Sequence, residues 1–147
     1  MGQKRMFAKE FIKVLAQFPD GTVFVDLFGG SGLLSHITKC VRPDAAVVYN
    51  DFDNYRQRLA NIPVTNALLS DLRRIVAEVP RKKRITGEAR EKVLARLERE
   101  EREHGYVDYI TLSSSLLFSM NYVTDLEGMR KEDLWNTVRL TDYPEAK

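Results

Sequence analysis

A single cysteine, Cys40, leaves no second thiol for a disulfide inside the chain, which excludes a covalently stapled secreted scaffold. Long apolar runs are missing too, and the opening Met-Gly-Gln-Lys-Arg-Met-Phe-Ala-Lys-Glu lacks the uninterrupted hydrophobic stretch of a signal peptide. Nothing therefore points to membrane insertion or export, and a reducing cytoplasm is the expected location. Met6 stands where a myristoylation pattern needs serine or threonine. An excess of one charge is also absent: 23 basic and 21 acidic residues leave a formal charge of +2, too little to name a partner. No internal repeat or low-complexity tract interrupts the chain. What remains is an ordered, soluble composition, 44% apolar and 30% charged over 147 residues. That is a one-domain length, large enough for a core and short for a cofactor-binding enzyme with a separate substrate module.

The character of the chain changes near residue 60. Phe7, Phe11, Val14, Leu15 and Phe18 recur at helical spacing, and the Pro19-Asp20-Gly21 turn ends them. Thr22 to Phe28 and Ala45 to Tyr49 are short, β-branched and bounded by turn residues, while Leu33 to Val41 between them suits a helix. Two strands joined by a helix make a βαβ unit, expected to be parallel, joined by a right-handed crossover and buried on both faces. Beyond Asn61 no comparable strand pair is evident. Helical stretches are expected at roughly 65 to 79, 86 to 104, 106 to 121 and 130 to 138. The second of these shows a narrow apolar stripe, Ala89, Val93, Leu94 and Leu97, so it should be mostly solvated. The expected organisation is a cofactor-binding βαβ unit at 1–60 and a helical module at 61–147.

The join between the first strand and its helix reads Phe-Val-Asp-Leu-Phe-Gly-Gly-Ser-Gly, residues 24 to 32. A glycine at the end of a buried strand lets backbone approach a ligand, because no Cβ intervenes and positive φ is allowed. Gly29, Gly30 and Gly32 fit that role. An acid at the end of the next strand, about 20 residues on, can accept bonds from both ribose hydroxyls, and Asp51 stands there. Asp26 then discriminates between cofactors. A dinucleotide would bring a pyrophosphate that a neighbouring carboxylate repels, whereas S-adenosylmethionine brings an ammonium and a sulfonium. The dinucleotide fingerprint also fails three residues after Gly32, where Ser35 replaces glycine or alanine.

Asp-Leu-Phe-Gly-Gly-Ser-Gly resembles the Asp/Glu-x-Phe-x-Gly-x-Gly signature of the Dam-like DNA adenine-N6 methyltransferases, and Tyr-Asn-Asp-Phe-Asp (49 to 53) resembles the acid-bearing segment that follows it. Gly2-Gln3-Lys4 is similar to the Gly-x-Lys element with which those enzymes open. The resemblance covers about residues 2 to 60. It implies an α/β chain with a partial Rossmann-like S-adenosylmethionine-dependent methyltransferase fold and a helical insert. Lys4 would lie near the cofactor, Asp26, Phe28, Gly30 and Gly32 would line its methionine end, Asp51 would hold the ribose and Phe52 would lie against the adenine. The family's catalytic tetrapeptide, Asp/Asn/Ser-Pro-Pro-aromatic, has no counterpart, since the chain contains no Pro-Pro pair. Asp142-Tyr143-Pro144-Glu145 has the wrong order and is not accepted as a substitute. In the family's order that tetrapeptide follows the recognition region, so the resemblance implies an N-terminal portion, inactive alone and in need of a missing C-terminal catalytic part or of self-association.

From Tyr55 to Glu100 lysines and arginines outnumber acids about two to one, which suits phosphate neutralisation. Arg73, Arg74, Arg81, Lys82, Lys83 and Arg84 are the candidate contacts to double-stranded DNA. His36 and Cys40, four residues apart, have no third ligand nearby in sequence and make no metal site; a buried cysteine beside a surface histidine is expected. Ser113-Ser114-Ser115 lacks the flanking glycines of a nucleophile elbow and should bend or interrupt a helix through hydroxyl bonds to carbonyls. A second class of function stays open: a non-catalytic nucleotide-binding or DNA-associated protein that retains the βαβ unit.

Overall fold

Glycine and proline punctuate the first 60 residues closely, so the elements there are short and joined by tight turns. The computed structural model describes residues 6–145. The chain divides into two units, one running to Arg56 and the other starting at Gln57.

The first unit opens with helix α1, Ala8–Leu15, which buries Leu15. Phe7, Val14 and Phe18 stay exposed, and Phe11 is half-buried, so α1 is shorter and less buried than its apolar spacing implies. Its end is held from a distance. The guanidinium of Arg42 donates to the carbonyls of Leu15 (3.0 Å), Phe18 (2.7 Å) and Pro19 (3.1 Å) and to the Asp20 carboxylate (2.8 Å). One side chain thus satisfies carbonyls that a helix end leaves orphaned. Strand β1, Phe24–Asp26, leads to helix α2, Leu33–Val41, and back to strand β2, Val47–Tyr49. β1 and β2 pair in parallel, with Phe24 opposite Val47, Val25 opposite Val48 and Asp26 opposite Tyr49.

The expectation of strands buried on both faces is corrected. α2 packs against the strands, but Val23, Val25, Leu27 and Val48 are 53–61% exposed. The sheet has only two strands among the described residues, and a two-stranded sheet cannot cover itself.

The second unit draws on α3, Tyr55–Ala60, whose first residues lie on the other side of the division. It continues with α4, Ile62–Ile75, strand β3, Arg84–Ile85, and helices α5, Gly87–His104, α6, Tyr109–Leu116, and α7, Leu126–Lys131, and ends with strand β4, Leu134–Trp135. Leu68, Leu69 and Leu72 from α4, Val93 and Leu97 from α5, and Leu112 and Leu116 from α6 form one core with Met129 and Leu134. The helix expected at 130 to 138 is not there, and a strand pair exists where none was evident. β3 and β4 are antiparallel, with Ile85 opposite Leu134, and both side chains are fully buried. Two residues are too few to show the alternation by which a strand announces itself. The last helix instead starts earlier, because the Asp125 carboxylate accepts from the Gly128 amide at 2.6 Å and caps it. In the same way Asp108 caps α6 through the Thr111 amide (2.9 Å). That helix runs through the serine run to Leu116 rather than to 121, and the expected hydroxyl bonds are there: Ser113 and Ser114 hydroxyls return to the carbonyls of Tyr109 and Thr111, each at 2.7 Å.

α5 is mostly solvated, as its narrow stripe implied, and its buried residues are Val93, Leu97 and Glu100. Glu100 is 2% exposed, with Arg96 Nη1 at 2.6 Å and His104 Nδ1 at 2.9 Å. Arg96 also bonds Asp71 of α4 at 2.8 Å, and that bond holds the Asp71 carboxyl below its ordinary value. The stabilisation is therefore present above the ordinary carboxylate range and is lost as acid protonates Asp71.

Asn136, 3% exposed, joins the strand pair to the chain after α4. Its amide donates to the carbonyls of Val79 (2.6 Å) and Val76 (3.4 Å), its oxygen accepts from Arg81 (3.1 Å), and its backbone pairs with Lys82 and Lys83. Asn136→Ala removes the donor of the Val79 carbonyl, while Val76 keeps the Val79 amide, and is expected to cost about 1–3 kcal/mol, read as a lower urea midpoint at unchanged slope. The uncovered valine face and open sheet edges make self-association the expected state. Light scattering at micromolar concentration should give a mass above that of one chain, and Val25→Lys with Val48→Lys should return it to the monomer value.

Candidate functional site

The carboxyl ends of two adjacent parallel strands are where α/β sheets place ligands, and here β1 and β2 bring Asp26, a glycine turn, Tyr49 and Asp51 to such an end. Gly30 (φ 52°) and Gly32 (φ 72°) are both left-handed, a conformation side chains resist. The turn closes through the Gly32 amide to the Gly29 carbonyl at 2.8 Å, and α2 starts with the His36 amide on the Gly32 carbonyl at 2.8 Å.

Gly29 is glycine for a different reason. A Cβ there would lie 2.1 Å from Cε2 of Tyr49 and 2.8 Å from the Asn50 carbonyl oxygen, so the ring of Tyr49 takes the room of a side chain. The Tyr49 hydroxyl donates to the Gly30 carbonyl at 2.6 Å. Of the three glycines read as ligand approaches, Gly29 is thus filled from within the protein. Burial, with the negative charges of Asp51 and Asp26, pushes the Tyr49 phenol above its ordinary value.

The two acids have partners of their own. Asp26 accepts from the Ser35 hydroxyl at 2.8 Å, so the residue that spoils the dinucleotide fingerprint is the one that orients the acid. Asp51 accepts from the Tyr55 amide at 2.6 Å and the Arg56 amide at 3.4 Å, capping the first turn of α3. Each carboxylate has lone pairs beyond these bonds. Phe28 and Phe52 are 84% and 81% exposed. On the α2 side of the sheet a cavity of about 140 Å³ reaches Asp26, lined by Phe11, Phe24, Leu34, Ser35, Thr38 and Val47. It has room for a few waters rather than a cofactor. Lys4, with Gly2 and Gln3, lies outside the described residues.

The six candidate DNA contacts fall in the second unit. Arg73 donates to the Arg139 carbonyl (2.8 Å) and the Asp142 carboxylate (2.7 Å). Arg81 donates to the Val138 carbonyl (2.6 Å) as well as to Asn136. Arg74 pairs with Asp71 and Arg84 with Asp133. The side chains of Lys82 and Lys83 are exposed and have no ion pair among the described residues. Lys82 is also left-handed, φ 60°. Counting charges could not reveal this, because Asp133 and Asp142 lie about 50 and 70 residues from the arginines they meet.

Cys40 is exposed, not buried, with its Sγ 3.5 Å from Nε2 of His36; the buried face of α2 runs through Thr38 instead. No group of three or more metal-capable side chains occurs among the described residues. Tyr49 and Ser35 are the site residues that sequence reasoning missed, although Tyr49 stands two residues before Asp51 and Ser35 had drawn notice only as a mismatch.

The whole chain is 40% identical, across 156 aligned positions, to a Haemophilus influenzae protein described as a "Putative methyltransferase". The chain spans about half of that protein's length, 50%. No family model matches the chain, and no solved structure matches it.

Gly29→Ala is expected to destabilise the first unit by about 1–3 kcal/mol, the usual cost of overpacking. Amide exchange in β1 and β2 should accelerate accordingly, and Tyr49→Ala in the same chain should recover part of the loss, because the clash with the ring is then removed while that with the Asn50 carbonyl persists.

Proposed function

We propose that the glycine-turn unit binds S-adenosylmethionine and that the chain is the cofactor-binding portion of a DNA adenine-N6 methyltransferase of the Dam-like group. The observation that carries this reading is the pair of carboxylates, Asp26 and Asp51, at the ends of two adjacent parallel strands beside the glycine turn. Such a site repels a pyrophosphate and attracts a cation. The 40% identity to a protein described as a methyltransferase supports the same reaction class.

In this reading Asp51 uses its remaining lone pairs for the ribose hydroxyls, and the exposed ring of Phe52 offers a face to the adenine. Asp26, oriented by Ser35, favours the positively charged methionine end, with Phe28, Gly30 and Gly32 beside it. When bound, S-adenosylmethionine supplies an electrophilic methyl group. A residue that orients the target amine is missing, since the chain has no Pro-Pro pair, and positioning accounts for much of the rate between two bound reactants. The chain alone therefore transfers no methyl group and needs a catalytic portion from further polypeptide. Double-stranded DNA is the proposed partner, met in the second unit by Lys82 and Lys83 and by those of Arg73, Arg74, Arg81 and Arg84 that can leave their internal partners.

The second reading, a binding protein without catalysis, draws on one observation. Asp142, which opens the nearest mimic of the catalytic tetrapeptide, is ion-paired with Arg73 at 2.7 Å.

Calorimetry separates the cofactors. S-adenosylhomocysteine and S-adenosylmethionine should release heat on binding while NAD does not, and Asp51→Ala should weaken binding at least tenfold. NAD binding that survives Asp26→Ala, with no heat from either methionine compound, overturns the assignment. Labelled methyl appearing in DNA adenine with the purified chain alone refutes the claim of inactivity.

A further inference from the structure

Tyr49 has no part in the motif that the glycine turn matches, yet it occupies the side-chain space of Gly29 and bonds Gly30. It is the last residue of β2, paired across the sheet with Asp26 and two residues before Asp51. Its ring fills the space of the absent Gly29 Cβ, while a Cβ added at Gly32 would meet Cε2 at 3.7 Å, an ordinary contact. Its hydroxyl donates to the Gly30 carbonyl at 2.6 Å.

A Gly-Gly-Ser-Gly turn has unusual conformational freedom, because glycine loses more entropy on ordering than any other residue. The bond from the Gly32 amide to the Gly29 carbonyl, 2.8 Å, ties the ends of the turn and leaves the peptide after Gly30 undirected. The Tyr49 hydroxyl is the group that directs it. A turn already ordered before its ligand arrives does not have to be ordered by the ligand, and affinity rises by the entropy saved.

We propose that Tyr49 is the positioning residue of this ligand site, presetting the glycine turn with Gly30 and Gly32 left-handed before the ligand binds. The proposal rests on the reading of the turn as an S-adenosylmethionine site. The hydroxyl suits the task, since burial and the nearby Asp51 and Asp26 favour the neutral phenol, which stays a donor at neutral pH. The ring simultaneously closes the Gly29 side of the turn, leaving Gly30 and Gly32 as the glycines open to a ligand.

Tyr49→Phe keeps the ring and removes the bond. Two measurements on the full chain test it: amide exchange at Gly32 without ligand, and calorimetry with S-adenosylhomocysteine. The melting temperature should stay as in the wild type, Gly32 exchange should accelerate at least fivefold, and affinity should fall about five- to tenfold, the effect of one neutral hydrogen bond. Unchanged Gly32 protection overturns the proposal, and so does a loosened turn with unchanged affinity. A variant that loses affinity and melting temperature together also overturns it, because Tyr49 is then a fold residue only. If the wild type takes up no S-adenosylhomocysteine while Gly32 exchange accelerates as expected in the variant, the cofactor reading fails and the presetting of the turn by Tyr49 stands.

Discussion

A tyrosine ring set against a residue with no side chain holds the glycine turn to the sheet. Tyr49 can lie there because Gly29 has no Cβ to meet it at 2.1 Å, and its hydroxyl then reaches the Gly30 carbonyl. The ends of β1 and β2 are thereby joined outside the ladder of backbone bonds. Asp26 and Asp51, one at the end of each strand's run, are held near a turn whose shape is set. Asp26 is oriented by Ser35 and Asp51 by the first amides of α3, so each acid depends on a neighbour that supplies a donor.

In the second unit, charge counted along the chain does not reveal which side chains are paired. Four of its arginines look like phosphate ligands when counted along the chain. In the folded unit Arg73 and Arg81 donate to main-chain carbonyls, Arg74 and Arg84 pair with Asp71 and Asp133, and Arg96 bridges Asp71 and Glu100. An arginine serves such ends well, because its planar fork offers five donors in fixed directions. Lys82 and Lys83, with compact hydrated ammonium groups, keep their charge exposed at the start of the β3–β4 pair.

The first unit leaves apolar surface uncovered. A parallel strand pair normally lies inside a wider sheet with both faces covered, and here one face carries Val23, Val25, Leu27 and Val48 in the open. The chain also spans about half of the Haemophilus influenzae protein it matches. The two observations are independent, one of surface and one of length.

Much of the first unit was legible in the sequence. Glycine, proline and β-branched residues act through their own backbone preferences, so Pro19-Asp20-Gly21, the two short strands and the helix between them show themselves locally. The parallel pairing follows from connectivity alone. Gly30 and Gly32 were also readable as positions where positive φ is allowed, and the serine run as one whose hydroxyls return to carbonyls. Distance decided the rest. Gly29 is glycine because of Tyr49, 20 residues away, and α1 is closed by Arg42, 27 residues from Leu15. The β3–β4 pair joins residues about 50 apart and is too short to carry a period of its own. The sequence by itself determined which backbone conformations were cheap; only the tertiary structure decided which side chains met, because a contact between residues far apart in the chain leaves no periodic trace in either of them.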